Sequence, residues 1–178
     1  MHAAAQHQGD RDHQCDAAAT YTAGGRRAYA VLDGIGSTVA VRDWTRATAR
    51  RLARAAALHG ATSGLSTIVA AERDRPRGTP SAVAVVATVT SDGVEIAWCG
   101  DARAYLLTED GRLHRLTRDH NLRQAIQDMG AVPPPGSRNL VLSCIGSRQP
   151  VIGTATAPAA GTLLLASDGA YEPVEDAG

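Results

Sequence analysis

The spacing of apolar and polar positions changes along the chain, and each change predicts an element. Arg27–Leu32 ("RAYAVL") reads as a strand, and Gly34 and Gly36 turn the backbone sharply behind it. Trp44, Ala47, Thr48, Arg51, Leu52, Ala55 and Leu58 then recur at three- and four-residue spacing, which predicts an amphipathic helix. Arg42, Arg46, Arg50 and Arg54 fall on its other faces and read as solvated. Asp43 is a candidate N-cap or first-turn acid, and Gly60 ends the helix. A shorter helix is expected over Leu65–Arg73 and a break over Pro76–Pro80.

Beyond Pro80 the period becomes that of strands. Ser81–Thr90 is almost continuously apolar, as a strand buried on both faces would be. Turns at Ser91–Gly93, Gly100–Arg103 and Asp110–Arg112 lead to strands over Val94–Cys99, Ala104–Glu109 and Leu113–Thr117, an expected antiparallel meander. Asn121–Met129 reads as a short helix capped by Asp119 or Asn121, and Ala131–Ser137 as loop. Asn139–Gly146, Val151–Ala157 and Thr162–Ser167 read as three more strands. With the helices in one block and most strands sequential, the fold class is α+β: a mostly antiparallel β-sandwich flanked by helices.

Composition narrows the function. The 178 residues, 44% apolar and 20% charged, suit one domain over residues 1–178 with a real core. With Phe absent and 34 Ala, that core must rest on Val, Leu, Ile and Ala. The 18 basic residues, all Arg, balance 18 acidic ones, which argues against broad binding to nucleic acid or an anionic membrane. Apolar runs such as Ala82–Ala87 fall far short of the roughly 20 residues of a membrane span. The polar N-terminus has no apolar stretch of a signal peptide. Cys15, Cys99 and Cys144 are widely spaced without a C-x-x-C pair, so a cytoplasmic protein with reduced thiols is expected. The absence of Lys removes the phosphate-binding loop of nucleotide-hydrolysing enzymes.

The candidate chemistry lies in aspartates at strand ends: Asp33-Gly34, Gly100-Asp101 and Asp168-Gly169. A carboxylate at the mouth of a buried strand is costly to desolvate unless it pairs or binds a cation. Carboxylate and carbonyl oxygens suit hard ions such as Mg²⁺ and Mn²⁺. Asp92-Gly93 and Asp110-Gly111, flanked by polar residues, are read as turns only. His2, His7, His59 and His114 lack metal-ligand spacing, and His13 is read as a surface residue.

In order along the chain, "YAVLDGIGS", "GDARAYLL", "LTRDHNL", "VLSCIG" and "LLLASDGAYEP" resemble the successive motifs of the metal-dependent serine/threonine protein phosphatases of the 2C (PPM) type, from about Gly9 to Val174. The resemblance implies a β-sandwich flanked by helices and a centre of two Mg²⁺ or Mn²⁺ ions. There Asp33 bridges both ions, the Gly34 carbonyl binds one and Asp168 the other, and Asp101 binds a looser third. In "GDRDHQCDA" it implies that Arg11 clamps the substrate phosphate and that Asp16 supports the metal ligands. It further implies a phosphoprotein substrate, and opposition to a serine/threonine kinase pathway.

Two departures bear on activity. Cys15 stands where the family has Glu or Gln; a thiol is a poor ligand for these ions, and Cys15 is read as packing like a small apolar residue. The family's final helix and strand, with its closing Asp-Asn motif, do not follow Gly169. Two function classes therefore stand: a metal-dependent phosphatase, or a catalytically weak or inactive phosphatase-like regulatory or binding module.

Overall fold

The computed structural model describes residues 2–8 and 11–176. Gly9 and Asp10, part of the opening motif, lie outside the described residues. Among the described residues, eight strands form two antiparallel sheets. The larger has β1 (Asp16–Ala23), β2 (Arg26–Gly34), β3 (Ala82–Val89), β4 (Val94–Cys99) and β7 (Gly153–Ala157) in the order β1-β2-β3-β4-β7. The smaller has β5 (Arg103–Leu107), β6 (Leu113–Arg115) and β8 (Thr162–Ala166) in the order β6-β5-β8.

The α+β class expected from the sequence is the observed one, but the expected meander is not. Of the meander's four strands, β3–β4 and β5–β6 form hairpins that belong to different sheets. The chain crosses between sheets at Gly100–Ala102, because Gly100 takes φ +102° and its missing Cβ admits Val83. A Cβ at Gly100 would stand 2.2 Å from Val83 Cγ1, closer than any side chain tolerates. The Asn139–Gly146 segment is likewise no strand. It makes only single bridges, Val141 to Asn121 and Ile145 to Ala82.

Helix α1 (Val39–His59) begins at Thr38, whose hydroxyl accepts from Val41 N at 3.2 Å. Asp43, expected as the N-cap or a first-turn acid, is neither: it sits beyond the first turn and pairs with Arg42. Gly60, at φ +92°, ends α1 and starts α2 (Ala61–Glu72), so the second helix begins four residues before its expected start. The carboxylate of Glu95 on β4 supplies the missing cap, accepting from Ala61 N at 2.9 Å and Thr62 N at 3.1 Å. Gly64 fits against the Ala56 backbone, where a Cβ would come within 2.5 Å of Ala56 N, which sets the close approach of the two helices.

The core has two layers, and β3 serves both. Ala82, Ala84 and Val86 face α1 and α2, joining Leu52, Ala53, Ala56 and Leu65. Val83, Val85 and Ala87 face the smaller sheet, joining Ile96, Trp98 and Ala104. That double burial accounts for the unbroken apolar run in the sequence. Leu52 and Leu65 are fully buried, each contributing about 2 kcal/mol of transfer free energy. Short helix α3 (Leu122–Asp128) is capped by Asn121, which accepts from Gln124 N at 3.0 Å. Helix α4 (Asp168–Asp176) leaves β8 directly. Among the described residues no helix is long and apolar enough to cross a membrane.

Candidate active site

Antiparallel pairing brings one end of each layer together. At that end β1 starts, β2 ends, β4 ends, β5 starts and β8 ends. Asp16 is the first residue of β1 and Asp33 the penultimate residue of β2, and the two are register partners. Asp168 arrives from β8 as the first residue of α4. Asp33 feels the carboxyl groups of both Asp16 and Asp168. Burial first, then the charges of Asp16 and Asp168, push its carboxyl up to about 9. Such a cluster holds a proton where a cation is absent. The side chains around it are tied in turn: Ser167 Oγ donates to Asp16 Oδ2 at 3.0 Å, and Gly169 N donates to Asp168 Oδ1 at 2.6 Å.

Asp101 stands at the crossing between the sheets, buried, with its carboxyl pushed up to about 6 by burial and by Asp119 and Asp168. Its backbone carbonyl accepts from Tyr171 Oη at 2.9 Å. Asn121 lies close enough to lower its pKa in part. The crossing is held from the other side by "RDHNL": Gly100 N donates to His120 Nδ1 at 3.2 Å, and His120 N to Gly100 O at 3.0 Å. Asp119 is no helix cap. It takes two bonds from Arg103, at 3.0 and 2.7 Å, and a longer contact from Arg115.

Gly34 is buried rather than open to the front. A Cβ there would meet Thr45 Oγ1 at 2.6 Å, Val41 Cγ1 at 2.7 Å and the Cys15 carbonyl at 2.8 Å. The packing of α1 against the β1–β2 pair thus requires the glycine, whatever its carbonyl binds. Cys15 is 2% exposed and its Sγ lies 3.8 Å from the Thr38 carbonyl, so it packs as an apolar side chain. Burial raises its thiol, while the nearby charge of Arg11 pulls the other way. Arg11 is exposed, and its charge, like those of Asp16 and Asp33, reaches Cys15.

The structure thus gathers Asp16, Asp33 and Asp168, sets Asp101 beside them and leaves Arg11 exposed. Among the described residues no group of three or more His, Cys, Asp or Glu converges on one point as a finished metal site. The donor set is nonetheless all oxygen, and its mutual repulsion is what a divalent ion relieves. Tyr171, Asn121 and the Arg103–Asp119 pair were not singled out for the site by the sequence. The pairs Arg103–Asp119 and Tyr171–Asp101 span 16 and 70 positions.

The protein phosphatase 2C family model matches residues 9–125. No curated protein matches the chain. Among solved structures, PppA, a regulatory component of the type VI secretion system in Pseudomonas aeruginosa, is 23% identical, with 96% of this chain and 77% of that one covered at a TM-score of 0.75. The catalytic domain of the serine/threonine protein phosphatase PstP, in complex with two manganese ions, is 26% identical, covering 94% of this chain and 76% of that one at 0.67. The Streptococcus agalactiae enzyme, named as S. agalactiae serine/threonine phosphatase, is 17% identical, with 91% and 76% covered at 0.73.

Proposed function

The chain belongs to the protein phosphatase 2C family, as a protein-serine/threonine phosphatase, and we propose that it hydrolyses phosphoserine and phosphothreonine on proteins with Mn²⁺ or Mg²⁺ as cofactor. The observation that carries this reading is the convergence of three acids: Asp16 and Asp33 are register partners at the strand ends, and Ser167, bonded to Asp16, brings the adjacent Asp168 to the same place. Three acids pressed together at a strand end are stable as anions only around a cation.

In this reading Asp33 and Asp168, with the Gly34 carbonyl, hold two ions. Asp16 orients them through its pairing with Asp33, and Asp101 holds a looser third. The ions, when bound, supply Lewis-acid charge and an activated water at neutral pH. The chain's own residues do the rest. Arg11 binds the phosphate with its planar guanidinium, which matches two phosphate oxygens. The Ser167–Asp16 and Tyr171–Asp101 bonds fix the carboxylate-bearing loops. The substrates are phosphoproteins, and the activity opposes a serine/threonine kinase. Residues 1–178 act as one phosphatase-like domain.

Release of phosphate from a phosphothreonine peptide by the purified chain, with Mn²⁺ and with a chelator, tests the reading. Turnover with Mn²⁺ that the chelator removes is expected. A second reading, a phosphatase-like binding module, is favoured by the lack of a finished metal site among the described residues. It predicts phosphopeptide binding with no turnover at any Mn²⁺ concentration.

A further inference from the structure

Beside the acidic cluster, across Asp119 and Asn121, lies a polar cleft of about 360 Å³. Three guanidinium groups line it, from Arg103, Arg115 and Arg123, against the single carboxylate of Asp119. Asp119 is already engaged by Arg103 and Arg115. Arg103 is 6% exposed and stacks over Tyr171, so it is fixed in place rather than waving in solvent. Arg115 is steered by Nε donating to Thr117 O at 2.8 Å and a terminal nitrogen donating to Gln124 Oε1 at 3.2 Å. Arg123 is exposed and has no ion pair among the described residues.

The cleft continues past Arg123 and Gln127, which line both parts, into a second one of about 410 Å³ walled by Pro133–Pro135. Its inner end adjoins the candidate active site, since Arg103 lines the cleft and stacks over Tyr171, whose hydroxyl donates to the Asp101 carbonyl. A concave surface with excess fixed positive charge, leading away from a phosphate-hydrolysing centre, suits an extended acidic chain.

We propose that this cleft is a second anion-recognition subsite, which binds a carboxylate or a further phosphate on the polypeptide a few residues from the phosphoserine or phosphothreonine. The proposal rests on the phosphoprotein reading above and narrows it to acidic substrates. Arg123 makes the variable contact, and Arg103 and Arg115 supply the fixed field. Carboxylate and phosphate share the chemistry the cleft recognises, two oxygens for one guanidinium fork.

Three phosphothreonine peptides of one length separate the sources: one flanked by Asp and Glu, one with Asn and Gln in their place, and one carrying a second phosphate. With Mn²⁺, kcat/KM for the acidic or doubly phosphorylated peptide should exceed that for the neutral one by about tenfold, mostly through KM. The preference should weaken at high salt. Arg123→Gln should cut the preference to about threefold or less, and Arg123→Glu should abolish or invert it. Arg54→Gln, the same change of charge on the exposed face of α1, should leave it unchanged. Equal kcat/KM on all three peptides, or a preference that survives Arg123→Glu, overturns the proposal. Fluorescence anisotropy of the same peptides on the metal-free chain separates the two readings. An acid preference in binding without turnover retains the cleft and removes the phosphatase reading. Equal binding of all three peptides removes the cleft.

Discussion

The Arg103 guanidinium lies 3.7 Å from the centre of the Tyr171 ring, while Tyr171 Oη donates to the Asp101 carbonyl at 2.9 Å. One aromatic side chain thus joins α4, the sheet crossing and the fixed wall of the arginine cleft. Tyr171→Phe keeps the ring and removes the hydroxyl, which should cost about 1 kcal/mol. Tyr171→Ala also removes the cation–π contact and leaves a cavity, and should cost about 3 kcal/mol or more. Urea-unfolding midpoints check the order. Equal losses would show that the ring contributes nothing beyond its hydroxyl.

Gly100→Ala should be among the most damaging single substitutions in the chain. It forces a side chain into φ +102° and drives a Cβ to 2.2 Å from Val83 Cγ1. Backbone strain of about 1–3 kcal/mol adds to overpacking of about 1–3 kcal/mol. Gly111→Ala is the control: its φ is +81°, but nothing lies within 4 Å of the new Cβ. It should cost only about 1 kcal/mol. Similar midpoints for the two variants would remove the steric account of the crossing.

Much of this was legible from the sequence. The unbroken apolar run of β3 announced burial on both faces, and Asp33, Asp101 and Asp168 announced themselves as acids at strand ends. β1 was not legible: Asp16–Ala23 is rich in alanine, a poor strand former, and most of its side chains are exposed or half-buried. Asn139–Gly146 has strand composition, yet Leu140 and Leu142 are 55% and 56% exposed, and β7 already pairs with the β4 edge it would need. The division of the meander was hidden because a glycine turn inside a sheet and one between sheets look alike in sequence. Only Val83 over Gly100 tells them apart.

Glu72 sets a pH dependence away from the site. Burial alone would raise its carboxyl, but Arg51, Arg75 and the Trp44 indole outweigh that and hold it below the ordinary value of 4.5. The folded state therefore binds this proton less readily than the unfolded chain. The stabilisation is complete above the ordinary range and is lost as pH falls through it to the lower folded value. Glu72→Gln should cost about 1–2 kcal/mol at pH 7, since Arg51 is half-exposed and Arg75 partly so, and much less at pH 3. Trp44, whose Nε1 donates to Glu72 at 3.3 Å under the Arg75 guanidinium, reports the loss by fluorescence. A deficit independent of pH would assign the cost to packing instead.

Arg11→Ala should raise KM more than it lowers kcat. A guanidinium that clamps the phosphate, as proposed for the exposed Arg11, would contact it in the ground state and the transition state alike, so its removal would weaken both equally. A loss of about tenfold in kcat/KM on a phosphopeptide is expected. Unchanged KM on both peptide and small aryl phosphate would return Arg11 to the solvated N-terminal segment.

Asp33→Asn and Asp101→Asn should separate the cluster into its parts. At Asp33 the substitution removes the carboxylate that meets both Asp16 and Asp168, so Mn²⁺-dependent hydrolysis should fall below detection and Mn²⁺ affinity should drop in isothermal titration. The metal-free protein should meanwhile gain stability. The Asp33 carboxyl is held at about 9 against an ordinary 3.8, so the folded state keeps a proton the unfolded chain releases. Wild-type stability without metal must then decline as pH rises from about 4 to 9, and Asp33→Asn should flatten that decline. Asp101 lies at the crossing rather than between the other acids, so Asp101→Asn should lower kcat while leaving the tighter Mn²⁺ binding in place. Full activity in Asp33→Asn, or equal loss of Mn²⁺ binding in both variants, would contradict an arrangement with Asp33 at its centre.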